Sequence, residues 1–98
     1  MKYFAVFLSM LNQEKSKEYR EQHLHYLDQK RREGKIFANG RFVDGTGGLV
    51  IYQADSFAEV EQIAKQDPYI VHGARNFEIH EWEMVSNAVL SSMNGRTD

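Results

Sequence analysis

The stretch REQHLHYLDQ, residues 20–29, sets two histidines two positions apart inside an amphipathic pattern. His23 follows Tyr19 by four residues and precedes Leu27 by four, with Arg20 three before it, so a helix brings all four to one side. His25 is rotated by about 200° from His23 and faces water, so the two do not grip one metal as histidines at i and i+4 do. For His23 two readings stand: an imidazole satisfied by a backbone or tyrosine partner at the core margin, or a proton-transfer group.

The carboxylate most suggestive of chemistry is Asp67 in KQDPY, where Pro68 stops a helix and local backbone donors can hold the side chain. Its plainer role is that of a turn residue. If Asp67 meets Nδ1 of His23 across the helical layer, it fixes the tautomer and leaves Nε2 as general base or acid near neutral pH. Arg20 then neutralises developing negative charge. Proton abstraction, isomerisation, lactone opening or elimination on a small acidic or phenolic compound needs no cofactor and no metal. His72, just before Gly73, is a candidate cleft wall, and Tyr69 with Trp82 is a candidate aromatic lining or core edge. His80 belongs to the exposed face of the last strand. Gly40, Gly45, Gly47 and Gly48 lack the phosphate-loop pattern and its strand-to-helix context, and read as turn residues.

These residues need elements to position them. Lys2–Met10 is a continuous apolar and aromatic run, the pattern of a central strand covered on both faces. The period changes to helical from about Lys15 to Glu33, closed by Gly34 after the basic KRRE turn. KIFANGRFVD and GLVIYQA read as an antiparallel pair around DGTGG. DSFAEVEQIAKQD opens with Ser56 and Glu59, a capping box, and its helix ends near Asp67. RNFEIHEWEMV alternates, with Phe77 and Ile79 opposite Glu78 and His80, as in a strand exposed on one face. The order βαββαβ predicts a ferredoxin-like α+β fold, with two helices on one side of a four-stranded antiparallel sheet. The apolar first strand implies that the open sheet face meets a second sheet, most economically in a homodimer.

A chain of 98 residues with one Pro and no Cys is one domain's worth, spanning 1–98, with a tail after about Met93 expected to fray. Without Cys there are no disulfides, thiolate nucleophiles or Cys-held metals, which suits a reducing cytoplasm. The net charge of −2, with both signs interspersed, provides no field for nucleic acid. The opening apolar run is too short for a membrane crossing of roughly 20 residues.

Together the segments RxxHLxYL at Arg20–Leu27, GKIFANG at Gly34–Gly40, the Gly-rich hairpin, SFAEV, DPY at Asp67–Tyr69 and FEIHEW resemble the YCII-related family over nearly the whole chain. The resemblance implies a dimeric α+β barrel of two ferredoxin-like sheets packed face to face, with a cleft in each subunit holding a His–Asp pair. It maps that pair onto His23 and Asp67, and a helix arginine onto Arg20. Where the family often has Ala-Gly-Pro, this chain has Asn39, Gly40 and Arg41, so the stiff turn is absent and Arg41 is expected in or beside the cleft. Some relatives resemble dehydrochlorinases or muconolactone-isomerase-like enzymes. The expected function is a small enzyme with His23, Asp67 and Arg20 as catalytic groups and Arg41, Tyr69 and His72 as ligand contacts. The alternative is a non-catalytic dimeric domain that binds or senses a small metabolite.

Overall fold

The computed structural model describes residues 1–87, so the tail after Met93 lies outside the described residues. Chain order is β1 (Lys2–Met10), α1 (Gln13–Glu18), α2 (Arg20–Arg32), β2 (Ile36–Arg41), β3 (Gly47–Ala54), α3 (Phe57–Lys65), α4 (Pro68–Val71) and β4 (Arg75–Trp82). The strands form one antiparallel sheet in the order β2-β3-β1-β4. The βαββαβ expectation therefore holds, with the two short helices α1 and α4 added to its two main ones.

The period-2 geometry of β1 splits its side chains between two environments. Phe4, Val6 and Leu8 point to the helical side, where Val50 and Tyr52 of β3, Leu27 of α2 and Val60 and Ala64 of α3 join them in the main core. Phe77 and Ile79 of β4 pack against the same core, as their alternation implies. On the opposite side Ala5, Ile51 and Met84 form a smaller cluster with Tyr3 and Leu49. Around it Phe7, Phe37 and Trp82 remain 38%, 37% and 45% exposed. Phe37 falls where the β2–β3 register slips between Ile36 and Ala38, a bulge in the outer strand.

Helix α2 ends where Gly34 adopts a φ of 78°. The amide of Gly34 donates to Arg31 O and that of Lys35 to Lys30 O, the two bonds of a Schellman cap. A second glycine, Gly47, has no substitute for a different reason: a Cβ there would stand 2.2 Å from the carbonyl oxygen of Leu8, at the seam between β1 and β3. Ser56 caps α3 by accepting from the amide of Glu59, whose carboxylate meets Lys35 at 2.5 Å.

Two details correct the expected element boundaries. The single helix expected from Lys15 to Glu33 begins earlier, at Gln13 behind an Asn12 cap, and is interrupted at Tyr19, where φ and ψ are −101° and 10°. Backbone bonds from Tyr19 N to Lys15 O and from His23 N to Tyr19 O carry the chain through the bend. Neither Pro nor Gly marks it; the Tyr19 ring lies flat on His72, a contact between distant segments. The second correction concerns Pro68. It ends α3, as expected, and also opens α4 at the first helical position, where its missing N–H costs nothing.

Candidate active site

Asp67 sits between α3 and α4 as the cap of the latter, its Oδ1 accepting from the amide of Tyr69 at 2.9 Å. From there the carboxylate meets α2: His23 Nδ1 is 2.8 Å from Oδ1 and 3.0 Å from Oδ2. Asp67 is 1% and His23 6% exposed, so the contact forms away from bulk water. An ionised Asp67 accepts from both the Tyr69 amide and Nδ1–H, leaving Nε2 as the imidazole's second nitrogen for chemistry.

His23 is one wall of a cleft of about 470 Å³ between the α1–α2 arm and the ends of β1 and the β2–β3 hairpin. Leu24 and Leu27 supply apolar surface from α2, and Phe42 from the hairpin. Tyr69 stacks on the His23 ring with centroids 3.9 Å apart and planes 14° from parallel. Its other face carries Arg75, whose guanidinium carbon lies 4.5 Å from the ring centre. Arg75 is held in place by Nε donating to Ser16 Oγ at 3.1 Å and Nη1 to Leu8 O at 3.3 Å. Burial pushes the Tyr69 phenol above its ordinary value, while Arg75 and then Arg20 pull it back.

Of the expected residues, Arg20, His23, Arg41 and Tyr69 line the cleft, and Asp67 stands directly behind His23. His72, expected as a ligand contact, lies apart. It caps the C-terminal end of α4 with its ring 3.8 Å from that of Tyr19 and 2° from parallel, outside the cleft lining. Both its ring and that of Tyr19 are committed to each other at the bend between α1 and α2. Sequence reasoning missed Arg75 and Lys17, which also line the cleft. Lys17 carries a usable signal, since it precedes Arg20 by three residues on the same helical arm. Among the described residues no group of three or more His, Asp or Glu gathers as a metal-binding set. No described helix is long and apolar enough to cross a membrane.

The family model for the YCII-related domain matches residues 1–83. An uncharacterized protein from Bacillus subtilis (strain 168), YjpA, is 30% identical over 82 residues, which are 84% of this chain and 96% of that protein. Among solved structures, the chain resembles 5-chloro-2-hydroxyhydroquinone dehydrochlorinase (TftG) from Burkholderia phenoliruptrix AC1100, in complex with 2,5-dihydroxybenzoquinone. The TM-score is 0.74 at 20% identity, covering 85% of this chain and 95% of that one. At that identity the likeness speaks for the fold.

Proposed function

Since the chain belongs to the family of YCII-related domains, we propose that it is a small enzyme working by proton transfer at His23. Its substrate is a small anionic or hydroxyaromatic metabolite, and the reaction an elimination, isomerisation or lactone conversion. The observation that carries this reading is the 2.8 Å contact between Asp67 and His23 Nδ1 beside an open cleft. Nε2 accepts a proton from a substrate C–H or O–H, and the released electron pair moves into the substrate. There it expels a leaving group or rebuilds a double bond; in isomerisation His23 returns the proton at another carbon. Asp67 stabilises the imidazolium, while Arg20 faces the negative charge on the substrate. A fold shared with a 5-chloro-2-hydroxyhydroquinone dehydrochlorinase is consistent with this class of chemistry.

The protein acts as a homodimer in the cytoplasm. Exposed Phe7, Phe37 and Trp82 on the open sheet face favour the first statement, and a sequence with no Cys agrees with the second. The test is a turnover screen with hydroxylated and chlorinated aromatics and small lactones, on wild type and His23→Ala. Turnover lost in His23→Ala while the melting temperature stays within a few degrees supports the enzyme. Binding without turnover in wild type moves the assignment to a non-catalytic metabolite-binding domain.

A further inference from the structure

We propose, building on the enzyme reading above, that the cleft selects ring compounds bearing a carboxylate across the ring from the reacting position, and that Arg75 reads that carboxylate. Among the described residues no Asp or Glu lines the cleft, yet Lys17, Arg20, Arg41 and Arg75 all do. None of these four cations has an ion pair among the described residues. Lys2, Lys30, Arg31, Arg32 and Lys35, all outside the cleft, each have one. Lys15 and Lys65, outside the cleft, have no ion pair among the described residues either, so four of the six described cations without one line the cavity.

Arg75 differs from the other three in being fixed. Ser16 Oγ, Leu8 O and the Tyr69 ring hold it from three sides, and all three are neutral. They orient the guanidinium without compensating its charge, and Nη2 takes no part in those bonds. A partly desolvated guanidinium held in one orientation is the preferred receptor for a planar carboxylate, which it binds with paired, charge-assisted hydrogen bonds. Lys17, Arg20 and Arg41 are exposed and add attraction over the mouth.

The stacking separations of 3.9 and 4.5 Å place the guanidinium roughly 8 Å from the imidazole, with Tyr69 between them. A ligand that reaches both groups passes around that ring, so a carboxylate held by Arg75 stands at the end of the molecule away from Nε2. Leu24, Leu27 and Phe42 offer the ligand's own ring an apolar seat. A neutral hydroxyaromatic satisfies the seat but leaves Arg75 unanswered.

The experiment is calorimetric titration with 4-hydroxybenzoate and its neutral counterpart hydroquinone, on wild type, Arg75→Gln and Arg75→Lys. Wild type is expected to bind the carboxylate about tenfold or more tightly than hydroquinone, with the preference abolished in Arg75→Gln and partly recovered in Arg75→Lys. Equal affinities in wild type, binding of neither probe, or a folded Arg75→Gln that keeps the preference overturns the proposal. Arg75 also ties α1 to β1, so a melting curve accompanies each variant. If Arg75→Gln does not fold, the salt dependence of wild type decides. Affinity for 4-hydroxybenzoate that falls with salt while that for hydroquinone stays constant supports the subsite, and parallel behaviour overturns it. These readouts do not involve turnover, so a cleft that binds carboxylates without catalysis refutes the enzyme and leaves the subsite standing.

Discussion

Asp67 performs two tasks with two oxygens, and they can be separated by one atom. Oδ1 serves the Tyr69 amide and His23 together, whereas Oδ2 has His23 Nδ1 as its partner. In Asp67→Asn the carbonyl oxygen keeps the amide of Tyr69 and so keeps α4 capped, and the NH2 group then faces Nδ1. The imidazole is forced into the other tautomer, with Nε2 carrying the proton and unable to act as a base. Turnover is expected to fall on the order of 10³- to 10⁴-fold, as such tautomer inversions do, while the melting temperature changes little; kcat and thermal melts on the same preparation check both. Arg20, His23 and Asp67 were legible as a helix face and a helix stop, because those signals are local. Arg75 was not, since what gives it meaning is Ser16, 59 positions away, and the carbonyl of Leu8, 67 away.

The elements themselves were legible in order and type, because each carries its own period: continuous apolar for β1, 3.6 for α2 and α3, alternating for β4. The bend at Tyr19 and the single turn of α4 were not, as one coincides with a contact to distant His72 and the other is too short to show periodicity. Helices α2 and α3 are joined by a polar contact as well as by apolar packing: Tyr26 donates to the carbonyl of Ile63 at 2.7 Å. Burial first, and then the negative charge of Asp67, push the Tyr26 phenol up from 10.0 to about 12. A group whose folded value is raised binds its proton more firmly in the native state, so its contribution is complete below pH 10.0 and is lost as pH climbs towards about 12. Stability measured by denaturant titration should therefore drop across that alkaline window. In Tyr26→Phe the drop should be shallower, on a protein about 1 kcal/mol less stable at neutral pH for want of the hydrogen bond.

At the scale of the molecule, the sheet has one face sealed by helices and another where aromatic side chains meet water. The proposed pairing through that face predicts a dimer by analytical ultracentrifugation at micromolar concentration. Trp82→Lys with Phe7→Glu should weaken it on the order of a hundredfold or more, since large aromatics at the centre of an interface carry most of its energy. A wild type that sediments as a monomer at every accessible concentration would remove the dimer.

The topology also bears on when the proposed site is assembled as the chain folds. His23 and Asp67 lie 44 positions apart, and β1 sits between β3 and β4, with Tyr3 opposite Trp82. A chain leaving the ribosome presents its histidine early, with nothing to orient it and no closed cavity around it. The first strand must wait for the last, a long loop closure that slows folding. In the proposed enzyme, fragments that end before Asp67 lack the carboxylate that orients His23, and those that end before β4 lack Arg75 beside Tyr69.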